Sequence, residues 1–296
     1  MLSDRQILTL IEEKVITGAN PQNVNPGSLD LTLGNEIYRL CGTTTPLRDN
    51  TVSKTLKILG VVDIRNNSSS GFSIDQHPHL NKLVESLALP KSLTARVFNK
   101  SGRARIGVSA KGVTNNNPRY DAIVSGYNGP LYTEIIPTTF PIFVDRGETS
   151  MVQVRFYEGE REPFVGHGLE LLLNKHPVLT DESGNPSYDK RERNRIIDSG
   201  ELVFTADLGG DISYYKPLPG SRTLDLRKKD HYDPFDFFTE VRAKKSNGGT
   251  VTIPPGEFVL IKSAQHIRLP PDYAAEIDEY TEEFGSVQPS YAHLVN

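Results

Sequence analysis

One cysteine, Cys41, stands alone in the sequence, so no disulfide can form within the chain. A lone thiol fits a reducing cytosol and excludes the disulfide-stapled class of small secreted domains. No apolar run approaches the roughly 18 residues that a membrane-spanning helix needs. The opening residues, Met1-Leu2-Ser3-Asp4-Arg5-Gln6, lack the basic-then-apolar layout of a secretion signal. The chain is therefore expected to act in the cytoplasm, away from any membrane. Net charge is also scarce, at −4 with a pI near 6.0. That predicts no whole-molecule attraction to nucleic acid, and any phosphate site must be a local basic cluster. Metal-ligand spacing is missing as well. Zinc nucleobase deaminases need a His or Cys plus two further Cys around the metal, which one cysteine cannot supply. Of the seven histidines, His77 and His79 flank Pro78 and the others stand far apart, with no HExxH spacing. The His-Pro-His stretch reads as a solvated turn, and no protein-bound zinc or other protein-held metal is expected.

What is present is ordinary globular material: 296 residues, 36% hydrophobic and 24% charged, enough for one large or two ordinary domains. Ile7, Leu8, Leu10 and Ile11 fall at helical spacing behind Ser3 or Asp4 as N-cap, which predicts a short N-terminal helix. After Pro26 the period changes to two. Leu29, Leu31 and Leu33 alternate with Asp30 and Thr32, a half-buried strand ending at Gly34-Asn35. Short β-rich runs follow at 57–62, 93–99, 131–136, 142–145 and 151–157, broken by Gly, Pro, Asn and Ser. Residues 66–71 and 115–118 are loops by composition. The polar segment 181–198 reads as a surface connection, its mixed-charge stretch Arg191–Arg195 as a solvated helix face. The pattern is that of a mainly β chain, a jelly roll or β-barrel.

Two stretches recur in order. Gly27-Ser28-Leu29-Asp30-Leu31 is echoed by Gly220-Ser221-Arg222-Thr223-Leu224-Asp225-Leu226. Ser86-Leu87-Ala88-Leu89-Pro90, with Ala95 beyond, is echoed by His266-Ile267-Arg268-Leu269-Pro270, with Ala275 beyond. Two diverged copies of one β-domain account for this. The expected division is 1–160 as a nucleotide-binding and catalytic domain, 161–199 as a connection, and 200–296 as a second copy. An offset of about 180 maps Asn296 to about position 116 of the first copy, so the second copy is expected to be incomplete.

The densest candidate for chemistry is Lys100-Ser101-Gly102-Arg103-Ala104-Arg105-Ile106-Gly107. Three cations, a hydroxyl and two glycines after a β-run can present N–H groups and guanidinium forks to phosphate oxygens. Basic glycine-containing turns are also frequent on ordinary surfaces, and the residues alone leave both readings open. Glu134 lies among Leu131, Tyr132, Ile135 and Ile136. It is either an outward-facing strand carboxylate or a half-dry one whose pKa is raised towards the working range.

These motifs, in this order, resemble a known family. Leu2-Ser3-Asp4-Arg5-Gln6-Ile7, Asn25-Pro26-Gly27-Ser28-Leu29-Asp30-Leu31-Thr32-Leu33-Gly34, the cluster at 100–107, and Gly129-Pro130-Leu131-Tyr132-Thr133-Glu134-Ile135 follow the pattern of dCTP deaminases. The chain looks like the two-copy form of that family, which belongs with the trimeric dUTPases. The match is motif-level over 1–159 and weaker over about 200–296. The resemblance implies a dUTPase-like jelly roll or β-barrel, a deoxynucleoside triphosphate as substrate, and deamination of dCTP to dUTP and ammonia. It implies Mg²⁺ carried on the triphosphate rather than by the protein, and a homotrimer. Ser101 and Arg105 match the residues that hold the nucleotide and the attacking water. Glu134 matches the group that activates that water. Lys100, Gly102 and Arg103 complete the phosphate turn, although Gly102 stands where simple deaminases carry a second Ser, and Lys100 where they carry Arg. Tyr127 matches an aromatic that packs against deoxyribose, its other reading being a core or turn tyrosine. Gln153 matches a nucleotide-contacting Gln. In dUTPases an Asp before the motif Tyr-x-Gly activates water. Anchoring on Tyr127-Asn128-Gly129 puts Val124 there, so dUTP hydrolysis is expected to be weak unless Asp121 substitutes. A bifunctional deaminase-diphosphatase and a non-catalytic nucleotide-binding module are the alternatives.

Overall fold

A computed structural model describes residues 1–42, 45–61, 71–159, 163–220, 222–242, 250–277 and 294–295. Ser3 caps α1 (Asp4–Glu12) in a reciprocal capping box with Gln6, and Ile7 and Leu10 bury the helix's apolar stripe. The chain then passes through β1 (Ile16–Thr17) and β2 (Val24–Asn25) into the long β3 (Ser28–Arg39). Leu29, Leu31 and Leu33 all have no exposed surface, which is the alternation read from the sequence.

The run 57–62 is not a strand. Its first residues close α2 (Val52–Ile58), and Val62 lies outside the described residues. Thr51 caps this helix by accepting from Lys54 N at 3.2 Å. Val52 and Leu56, four apart, face Leu40, Leu80, Val113 and Tyr132. A capped i, i+4 apolar pair with a surface to cover outweighs the local β preference of Ile58 and Val61. Residues 66–70 also lie outside the described residues.

There follow β4 (Phe72–Ile74), β5 (His79–Ala88), β6 (Leu93–Asn99), α3 (Ser101–Ala104), β7 (Val108–Thr114), β8 (Ala122–Ile123), β9 (Asn128–Pro137), β10 (Ile142–Val144) and β11 (Ser150–Glu158). The main sheet runs β7-β9-β5-β3-β11-β6-β8, with β1 on β5 and β2 on β3, and its strand pairs are antiparallel. It curls around one core in which Leu33, Leu83, Val97, Leu131, Ile135 and Val154 are almost wholly buried. The His77-Pro78-His79 stretch departs from its solvated expectation. His77 is exposed, but His79 opens β5 with 4% exposure, Nδ1 2.8 Å from the His77 carbonyl. Burial pushes its pKa down.

The register slips where β3 meets β5, between Leu33 and Ile37, and again where β5 meets β9, between Lys82 and Ser86. Side chains from inside the barrel replace the missing ladder. Asn81 accepts from Gly34 N at 3.0 Å and donates to the carbonyls of Gly34 and Glu36. Glu85, with no exposed surface, accepts from Thr32 N through both oxygens at 2.9 and 3.1 Å. Gly34 is required here, because a Cβ would stand 2.2 Å from the Lys82 carbonyl. Burial raises the Glu85 pKa from 4.5 to about 7, against the lowering effect of the Thr32 bonds. The folded state therefore holds this proton more tightly than the unfolded chain. The resulting stability is complete below about 4.5 and is lost as pH rises through about 7. Above that, the buried charge costs on the order of 3 kcal/mol. Glu85→Gln should raise the urea midpoint at pH 8 and leave it nearly unchanged at pH 5. Equal shifts at both pH values would show that the carboxylate does not titrate between them.

The chain divides into two compact units. Among the described residues, the first holds those in 1–159 and 219–236, and the second those in 163–218, 237–277 and 294–295. In the second, α4 (Gly166–Lys175), β12 (Leu179–Thr180) and α5 (Lys190–Ser199) gather Leu169, Leu172, Leu173, Val178 and Ile196 into a small core with Leu269 and Tyr273 packed on it. The mixed-charge stretch lies on α5, capped by Asp189 and ended by Gly200 in the left-handed region. β13 (Tyr214–Pro217) later pairs with β15 (Phe238–Val241) in this unit. β14 (Leu224–Asp225), from the echoed motif, instead joins the first unit, pairing parallel with Ile142 and Phe143 of β10. β16 (His266–Ile267) returns to β12, and β17 (Ala275–Glu276) pairs with β18 (Leu294–Val295). Among the described residues no helix is long and apolar enough to cross a membrane.

Candidate active site

The basic turn grows out of the end of β6. Asn99 donates to the Val108 carbonyl at 2.7 Å and so closes the excursion that carries α3. Lys100 is the N-cap residue, its own N–H bonded to the Met151 carbonyl of β11 at 3.1 Å. Ala104 has no exposed surface, which pins the short helix to the barrel. Gly107 ends it at φ +71, where a Cβ would stand 2.2 Å from the Thr139 methyl. The hydroxyls of Thr138 and Thr139 donate to the Gly107 and Ile106 carbonyls at 2.7 and 2.6 Å. The turn is rigid.

Its side chains separate into two groups. Arg105 and Gly102 are exposed, and Arg105 has no side-chain hydrogen bond or ion pair among the described residues. Ser101 is half-buried beside them, at the first position of the helix. Lys100 and Arg103 turn inward. The Lys100 ammonium pairs with the Asp30 carboxylate of β3, and Arg103 Nε donates to the Ser150 carbonyl at 3.3 Å. Burial pulls the Arg103 pKa down, and the nearby Asp30 charge opposes that. Gln153 of β11 lies directly opposite Asp30 in the sheet, half-buried. Lys100, Arg103 and Gln153 thus meet around Asp30, which the site reading from sequence did not include. The available signal was its place as the acid between the leucines of β3, in a motif that recurs at Asp225.

Glu134 is 1% exposed, on β9 between Leu80 of β5 and Lys111 of β7. Leu131 and Ile135 of the same strand face the barrel core, so Glu134 and Tyr132 face the other side. That side is roofed by Leu40, Val52 and Leu56, with Tyr120 packed against them. The Tyr120 hydroxyl donates to Glu134 Oε1 at 2.9 Å. The carboxylate is dry and fixed, though outside the core. Its register partner Lys111 lies three residues along β7 from Val108, where the serine turn ends. That separation is roughly 10 Å along the strand. The chain brings Ser101 and Arg105 together at one end of β7 and places Glu134 at its middle.

Tyr127 packs into the barrel core at 7% exposure. Its hydroxyl donates to the Pro130 carbonyl at 2.6 Å and accepts from Asn115 N at 3.3 Å. Burial pushes its pKa up to about 12. Val124 is 57% exposed. Asp121 sits at φ +62 with its carboxylate accepting from Gly112 N at 2.6 Å. Among the described residues no three His, Cys, Asp or Glu side chains converge as a cation cage.

Comparisons with known proteins agree with this arrangement of motifs. Residues 1–160 match the N-terminal domain of 2'-deoxycytidine 5'-triphosphate deaminase, and residues 179–296 match its C-terminal domain. No curated protein matches the chain. Among solved structures, the chain is similar to a 2'-deoxycytidine 5'-triphosphate deaminase from Agrobacterium tumefaciens, with 28% identity and a TM-score of 0.83 over 100% of this chain and 85% of that one. With both halves matched, in order, to the two domains of one enzyme, the chain belongs to the 2'-deoxycytidine 5'-triphosphate deaminase family.

Proposed function

We propose that the protein hydrolyses dCTP to dUTP and ammonia, with water activated by Glu134 and no protein-bound metal. The observation that carries this reading is a dry carboxylate, fixed by a phenol on a strand next to a cationic serine turn. The water oxygen bonds to C4 of the cytosine while one water proton passes through Glu134 to N3, and the N3–C4 double bond becomes single. Glu134 then takes the remaining hydroxyl proton and gives it to the exocyclic nitrogen, so the C4=O bond forms as the C4–N4 bond breaks and ammonia leaves. A poised carboxylate contributes about 10²–10⁴-fold to such proton transfers. Arg105, with Ser101 beside it, receives the triphosphate, whose Mg²⁺ is held by phosphate oxygens and water. Lys100, Arg103 and Gln153 set the shape of that receptor around Asp30, with Gly102 leaving the phosphates open access. Tyr127 supports the hairpin that borders the sugar.

The separation of Ser101 from Glu134 along β7 favours a site completed by a second copy, as a cyclic homotrimer provides. The proposed setting is the cytoplasm, with a deoxynucleoside triphosphate as partner and neither nucleic acid nor membrane involved. Asp121 bears on the bifunctional alternative. One of its carboxylate oxygens accepts from Gly112 N, and exposed Val124, which has no titratable group, occupies the other position; both favour deamination without dUTP hydrolysis. Given dCTP and Mg²⁺, the protein should release ammonia and dUTP in equal amounts, with no pyrophosphate. Pyrophosphate from dUTP would establish the bifunctional reading. Nucleotide binding without ammonia would establish the non-catalytic one.

A further inference from the structure

We infer that Tyr120 is a positioning residue for Glu134, donating its phenol proton so that the carboxylate stays ionised and aimed. The inference rests on Glu134 as the water-activating group. It begins with the loop that carries Tyr120, between β7 and β8. Asn117 Oδ1 accepts from Arg119 N at 3.1 Å, and Asn117 Nδ2 donates to the Ala122 carbonyl at 2.6 Å. Asp121 N donates to the Gly112 carbonyl at 2.9 Å while the Asp121 carboxylate takes Gly112 N. Tyr120 is therefore clamped on both sides by bonds to the neighbouring strand and turn. A mobile surface tyrosine has no such support.

The ring is held where its hydroxyl meets Glu134 Oε1 at 2.9 Å. The Lys111 ammonium stands over the same ring, 5.1 Å from its centre. Lys111 is also the residue directly opposite Glu134 in the sheet. A cation on the ring face favours the phenolate and so strengthens the phenol as a donor. Lysine, phenol and carboxylate thus form a short relay on the outer face of β7 and β9. Hydrogen bonding to the charged form of a carboxyl lowers its pKa, which works against the burial of Glu134. Without the phenol that opposing effect is lost, and the group gains its proton at a higher pH.

The test uses the full chain and the variants Tyr120→Phe, Lys111→Met and Glu134→Gln, with kcat, KM and melting temperature followed from pH 5 to 9. Tyr120→Phe should lower kcat roughly 10-fold while KM changes less than about twofold. The acid limb of its kcat profile should move up by about one pH unit. Lys111→Met should move the limb in the same direction by a smaller amount. An unmoved limb in Tyr120→Phe, with Glu134→Gln inactive, would overturn the inference and leave the role of Glu134 intact. So would a fall in kcat matched by a lower melting temperature and an unmoved limb, which marks a packing role only. Full activity in Glu134→Gln would instead remove the base itself.

Discussion

Glu134→Gln should release ammonia from dCTP about 10²–10⁴-fold more slowly than the wild type while binding the nucleotide with near-normal affinity. The structure makes this an unusually clean substitution. Glutamine has the same shape, so a site with 1% exposure keeps its packing. Its carbonyl oxygen can still accept the Tyr120 hydroxyl that now bonds Oε1 at 2.9 Å. The negative charge and the ability to take a proton are lost. Single-turnover ammonia release measures the chemical step, and titration calorimetry with dCTP measures affinity. Activity within a few-fold of the wild type would remove the carboxylate from the mechanism.

Arg105→Ala should lower kcat/KM for dCTP roughly 10- to 100-fold, the effect expected on losing a guanidinium–phosphate contact. The fold should not suffer. Arg105 is exposed, and its structural contribution is the backbone bond from its N–H to the Ser101 carbonyl at 3.0 Å, which alanine keeps. Arg105→Lys should recover only part of the loss, because an ammonium cannot form the two-pronged contact. Arg103 provides the contrast two residues away. It is half-buried and bonded to the Ser150 carbonyl, so Arg103→Ala should cost about 1–2 kcal/mol of stability. Melting temperature and kcat/KM measured on both variants separate the two roles. A stability loss in Arg105→Ala equal to that in Arg103→Ala would show that the turn is a structural element only.

The barrel was readable because its strands obey a two-residue period with branched residues on the inner face. Leu29, Leu31 and Leu33 are the plainest case. Helix α2 was misread because Lys57-Ile58-Leu59 has β-like composition. The governing signal lay earlier, in Val52 and Leu56 one helical turn apart behind a threonine cap. The serine turn was visible as a local concentration of cations and glycine. Glu134 was visible only through the resemblance, since its local sequence suits a surface strand equally well. What buries it comes from afar: Tyr120 is 14 residues away, and Val52 and Leu56 about 80. No window of sequence contains those partners. Asp30 escaped for the same reason, because an acid between two leucines shows nothing of the lysine 70 residues on that it pairs with.

The parallel pairing of Leu224 and Asp225 with Ile142 and Phe143 has a bearing on how the chain emerges from the ribosome. When β10 leaves the exit tunnel, the segment that will flank it follows 82 residues behind. At roughly 5–20 residues per second this amounts to roughly 4–16 s during which one edge of a nascent sheet has no neighbour. Backbone N–H and C=O groups on such an edge invite pairing with other chains. The first unit cannot finish before much of the second has been translated. Slow decoding between codons 145 and 225 would therefore prolong exposure of this edge, and a chaperone bound there would shield it.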